Sequence, residues 1–111
     1  MAYNIITTDE MDRLLENCVK YLINKMQDDQ AAKHLLNSVS EIYDRLENNP
    51  EIYRISDDLF MRKQGYHEAK IKGMEYLIVY KIVADTVYVL GIFHTLEDYV
   101  GKMKIWSRSL K

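Results

Sequence analysis

A chain of 111 residues, 48% apolar and 29% charged, fits one globular domain, since a chain of this length buries roughly two-thirds of its unfolded surface without a metal or disulfide staple. Its single cysteine excludes an internal disulfide and points to a reducing cytosol. No run approaches the ~18 apolar residues that span a bilayer and no secretory pattern opens the chain, so a cytoplasmic protein without a membrane partner is expected.

Residues 3–7, YNIIT, read as a short strand. A capping box follows, in which Thr7 caps the amide of residue 10 and Glu10 reaches back. Met11, Leu14, Leu15, Cys18, Val19, Leu22, Ile23 and Met26 then recur at helical spacing, which gives Cys18 a packing role. QDDQ interrupts the pattern, with Asp28 or Asp29 as the next cap. The second helix sets Ala32, Leu35, Leu36, Val39, Ile42, Tyr43 and Leu46 on one face, beside His34, and ends at ENNP. So short a break between the helices implies an antiparallel hairpin.

Residues 51–65 read as a polar loop or a frayed turn. From there the period becomes two. YHEAKIK sets His67, Ala69 and Ile71 on one side and Glu68, Lys70 and Lys72 on the other. EYLIVYKIV and TVYVLGIFH, apolar on both faces, read as central strands joined by a turn at AD. Strict alternation gives His94 the face of Tyr88, Leu90 and Ile92. KMKIWSRSLK is basic, holds the one Trp, and has no assigned element. The expected fold class is α+β, in the order β-α-α-β-β-β. An antiparallel sheet packs on a helical hairpin in two layers, over residues 1–101, with a basic C-terminal tail at 102–111.

Charge is segregated. Residues 1–60 carry six basic and twelve acidic side chains, and residues 61–111 carry nine and five, which sums to the net −2. The two halves are expected to meet different partners.

Two stretches carry a resemblance. YLINKMQDDQAAKHLLNSVSEIYDRLENNP is similar to the paired helices, ending at a proline, of the RelE/ParE superfamily of type II toxin–antitoxin toxins (the plasmid stabilisation family). GYHEAKIKGMEYLIVYKIVADTVYVLGIFHTLEDY resembles that superfamily's basic strand, its tyrosine-bearing strand (Tyr76 and Tyr80 here), and its apolar strand running into a His and an Asp-Tyr. The resemblance covers roughly residues 3–99 and implies the two-layer RelE/ParE-like fold. It also implies a cognate antitoxin, operator DNA bound only through that antitoxin, and no cofactor. For activity it implies translation inhibition by a metal-independent endoribonuclease (an mRNA interferase) acting on messenger RNA at the ribosome. The alternatives are inhibition of DNA gyrase by binding, and a non-toxic partner-binding homologue.

RNA cleavage without a metal needs an acid/base, a positive group at the phosphate and a proton donor to the leaving oxygen. The resemblance assigns catalysis to His94, Tyr99 and Lys72, and RNA or phosphate binding to Lys70, Arg62 and Lys63. His67 is a weaker second histidine. One departure counts against a strong ribonuclease. Where the family often has an Arg pair after the last strand, this chain has TLED, and its neighbouring strand offers Lys, which lacks the bidentate fork of Arg.

Overall fold

The structure, a computed structural model, describes residues 2–109; Leu110 and Lys111 of the expected tail lie outside the described residues. The elements run β1 (Asn4–Thr7), α1 (Asp9–Asn24), α2 (Asp29–Asn48), α3 (Leu59–Lys63), β2 (Tyr66–Lys70), β3 (Tyr76–Val83), β4 (Thr86–His94) and α4 (Tyr99–Ser109). The sheet order is β1-β4-β3-β2. β2, β3 and β4 form the expected antiparallel meander, while β1 lies parallel to β4, a pairing that needs a long crossover such as the α1–α2 hairpin.

Thr8, not Thr7, caps α1, because Thr7 is still in β1, in register with Val89. The Met11 amide donates to Thr8 Oγ1 at 3.1 Å, and Glu10 pairs with Arg13 instead of reaching back. Asp28 caps α2, accepting from the Ala31 amide at 2.9 Å. Ala32, Leu35, Val39, Ile42 and Leu46 of α2 are buried, while Leu36 stays 45% exposed, so the apolar face is narrower than the sequence pattern. In the stretch expected to be irregular, Asp58 caps one helical turn, α3, at the Met61 amide (3.0 Å), and Met61 is fully buried. Residues 54–56 cover the outer side of β2. Ser56 N–H donates to Tyr66 O (2.9 Å) and Glu68 N–H to Arg54 O (3.1 Å), which closes an edge that would otherwise invite pairing.

The sheet buries both faces. One packs on the hairpin, with Met11, Leu35 and Leu46 against Ile78, Tyr80, Val87, Val89 and Ile92. The other places Leu77, Val79, Leu90 and Phe93 under α3 and α4, with Met61 and Met103. Residues 102–109 of the expected basic tail are therefore the body of a helix that starts at Tyr99, and the boundary expected at 101 falls inside it. Physically, β3 and β4 are apolar on both sides, so the second face requires a cover.

A bulge breaks β4. Val79 pairs with Gly91 but Tyr80 pairs with Val89, which leaves Leu90 unpaired. Tyr88, Leu90 and Phe93 then belong to the α3/α4 side, whereas Val87, Val89 and Ile92 belong to the hairpin side. His94 follows Ile92 by two residues and shares its face. The expected alignment of His94 with Tyr88 and Leu90 is corrected by that one extra residue, which reverses the alternation.

Candidate functional site

The end of β4 forms one wall of a pocket on the hairpin side. Leu14, Asn17, Cys18 and Tyr21 line it from α1, and Tyr76, Ile92, His94 and Glu97 from the sheet and the turn after it. Its volume is about 300 Å³. The α1 residues sit at i, i+3, i+4 and i+7, one stripe of a helix. Tyr76 is the register partner of His94, and their rings meet edge to face at 5.6 Å.

TLED builds the turn that fixes His94. The His94 amide donates to Glu97 Oε1 at 2.7 Å, and the Leu96 amide donates to His94 Nδ1 at 3.2 Å. The other Glu97 oxygen pairs with Lys102 of α4. Thr95 donates to Glu75 Oε2 at 3.0 Å. Asp98 caps α4 by accepting from the Gly101 amide at 3.0 Å, and a Cβ at residue 101 would lie 2.3 Å from Asp98 Oδ2, so a side chain there would shift the capping carboxylate. The acidic residues of the turn thus have defined structural partners.

That hydrogen bonding limits what the imidazole does. A neutral ring has one acceptor nitrogen. With Nδ1 accepting from Leu96, the ring proton sits on Nε2, and no lone pair faces the pocket to remove a proton from a ribose hydroxyl. The pocket's thiol and phenol are held protonated. Burial, with Glu97 second, pushes the Cys18 thiol up to about 11. Burial, with Cys18 second, raises the Tyr76 hydroxyl.

The other residues singled out in the sequence lie elsewhere. Tyr99 opens α4 on the opposite face of the sheet, its ring stacked on Phe93 at 5.9 Å. Its hydroxyl donates to Glu68 Oε2 (3.3 Å), which also accepts from Ser56 Oγ (2.7 Å). Burial first, then Glu68, raises the Tyr99 hydroxyl. Lys70 ends β2, with β3 between it and β4, and so stands two strand spacings, roughly 9–10 Å, away from β4. Lys72 follows β2, and its carbonyl accepts from His34 Nε2 at 2.8 Å. Arg62 and Lys63 lie on α3, where Arg62 donates to Ser56 O at 3.1 Å and pairs with Asp57 at 3.7 Å. The structure therefore groups His94 with Tyr76, Glu97 and Cys18, and not with Tyr99, Lys70, Arg62 or Lys63. His67 is buried, stacked on Tyr80 at 4.9 Å, and donates from Nδ1 to Tyr53 O at 2.9 Å. Asn17, Cys18 and Tyr21 are pocket residues that sequence reasoning missed; their one signal, helical spacing, is shared by every core residue of α1.

Among the described residues, no three of His, Cys, Asp and Glu gather where a metal ion could be held, and no helix is long and apolar enough to cross a membrane. The profile of the family described as "ParE toxin of type II toxin-antitoxin system, parDE" matches residues 5–99. A solved chain of the chromosomal ParDE toxin–antitoxin system from P. aeruginosa superposes with a TM-score of 0.66 at 12% identity, covering 84% of this chain and 96% of that one. YafQ from E. coli superposes with a TM-score of 0.53 at 13% identity, covering 83% and 92%. At such identities the likeness is one of fold. Among curated proteins compared by sequence, none matches.

Proposed function

The chain belongs to the ParE family of type II toxins, its match running over residues 5–99, and on that premise we propose that it arrests growth by binding DNA gyrase, not by cutting messenger RNA. The observation that carries this reading is the state of His94. Its acceptor nitrogen is bonded to the Leu96 amide, and the cations and the tyrosine that RNA cleavage would require lie across the sheet or beyond β3. Taking the 2′-hydroxyl proton requires a free lone pair, which a neutral ring accepting at Nδ1 and protonated at Nε2 does not offer. What remains at the end of β4 is a mostly apolar pocket with a polar rim, suited to receiving a side chain of a protein.

Inducing the chain without its antitoxin tests the reading. Filamentation and a DNA-damage response should precede any fall in amino-acid incorporation, with messenger RNA intact. Fragmented messenger RNA and an immediate halt of translation would replace this reading with the ribonuclease one.

A further inference from the structure

The face of the sheet opposite the pocket carries a group of cations that have no acidic partner among the described residues. Between α3 and α4 lies a cleft of about 340 Å³, lined by Phe60, Gln64, Lys104, Ser107 and Arg108. We infer that this cleft binds the phosphodiester backbone of DNA.

Three observations carry the inference. First, the lining residues are two cations, an amide, a hydroxyl and a ring, with no acidic side chain among them. Lys104 and Arg108 stand four residues apart on α4, one above the other on one face. Second, these charges are not spent on ion pairs. Arg54, Arg62 and Lys102 pair with Asp57 or Glu97, whereas Lys81, Lys104 and Arg108 have no acidic partner within 4 Å among the described residues. Third, the cations alternate with aromatic rings. Lys104 Nζ lies 5.7 Å from the Phe60 ring centre and Lys81 Nζ 6.0 Å from that of Tyr66. The two rings meet edge to face at 6.5 Å, and Tyr66 is fixed by a 2.6 Å hydrogen bond between its hydroxyl and Ser107 Oγ. A phosphodiester backbone takes cations together with amide and hydroxyl groups, which Gln64 and Ser107 supply beside Lys104 and Arg108. Contacts of this kind position a protein on DNA without reading its sequence.

The inference rests on the gyrase reading only in choosing DNA over RNA. The pocket and the cleft lie on opposite faces of the sheet, so the toxin would hold a protein on one side and that protein's DNA on the other.

The test uses the full chain, freed of antitoxin, and a short fluorescent duplex followed by anisotropy at low salt. Binding should be independent of sequence and weaken steeply with salt. Lys104→Glu with Arg108→Glu should weaken it about tenfold or more and lower the salt slope by about two phosphate contacts. Lys25→Glu with Lys33→Glu, the same charge change on the hairpin, should leave it nearly unchanged. Far-UV circular dichroism checks that each variant is folded. No binding at low salt, an equal loss in both pairs, or binding of an acidic peptide in place of duplex overturns the inference. Duplex binding that depends on the cleft while gyrase is unaffected would uphold the DNA site and remove the gyrase reading alone.

Discussion

Thr8 joins three parts of the molecule through one residue. Its hydroxyl oxygen caps α1 at the Met11 amide, its hydroxyl proton lies between Val89 O (3.3 Å) and Leu90 O (3.2 Å), and its amide donates to Val89 O at 3.1 Å. Leu90 is the bulge residue, so Thr8 holds the irregularity that aims His94. Thr8→Ser should preserve stability, and Thr8→Val should cost about 1–2 kcal/mol in urea denaturation, the magnitude of a lost cap with unpaired carbonyls beside it. His94 itself provides a sharper separation of roles. In His94→Asn the amide oxygen replaces Nδ1 as acceptor for Leu96, but nothing in the side chain titrates. If the ring only shapes the pocket, this variant stays toxic; loss of toxicity in a folded protein would return His94 to acid/base chemistry. Cys18 sets a pH window. Its thiol is raised from 9.0 to about 11 in the fold, so the folded state holds the proton to higher pH than the unfolded chain does. The associated stability is complete below pH 9 and is lost as pH rises towards 11. Cys18→Ala should flatten that decline in denaturation midpoints, and alkylation of the native thiol at pH 8 should be far slower than in urea.

At the scale of elements, β4 and α4 separate what the sequence discloses from what it hides. The stripes of α1 and α2, a cap of α2 at Asp28 or Asp29, the two central strands and their turn are all legible, because each rests on a local period or a local hydrogen bond. The bulge has no such mark. Gly91 was its one trace, and it is required by packing: a Cβ there would meet the Phe93 ring at 2.8 Å. Gly91→Ala should therefore destabilise by about 1–3 kcal/mol in urea denaturation, the usual cost of overpacking. Strict alternation puts His94 with Tyr88 and Leu90, whereas the bulge sends those two to the α3/α4 side and leaves His94 with Ile92 on the hairpin side. α4 was hidden for a different reason. Met103 and Trp106 are its buried and half-buried anchors amid Lys102, Lys104 and Arg108, and so short a pattern becomes recognisable only beside the uncovered face of Leu77, Val79, Leu90 and Phe93. Trp106 packs against Phe93 at 5.5 Å, and as the one Trp of the chain it reports whether α4 is docked. Its fluorescence should change at the same urea concentration as the far-UV signal. An earlier change would show α4 to be a separately melting element.

As a whole the molecule presents two unlike surfaces on either side of one sheet. On the hairpin side an apolar pocket lies beside Tyr21, which is 47% exposed. On the other side lies a cleft framed by cations. A ParE toxin pairs with a cognate antitoxin, and neutralisation by an amphipathic segment laid along the hairpin side would persist when charges are screened, whereas an acidic segment over α3 and α4 would not. The complex should accordingly survive a high-salt wash, and dissociation at moderate salt would move the antitoxin to the cationic side. The gyrase reading is tested most directly with purified components: antitoxin-free toxin, gyrase, ATP and supercoiled plasmid, resolved for cleaved DNA held on the enzyme. Cleaved complexes should accumulate with toxin dose, equally for wild type and His94→Asn. No cleaved complexes at any dose, with messenger RNA cut by the same preparation on ribosomes, would contradict a toxin that acts by binding.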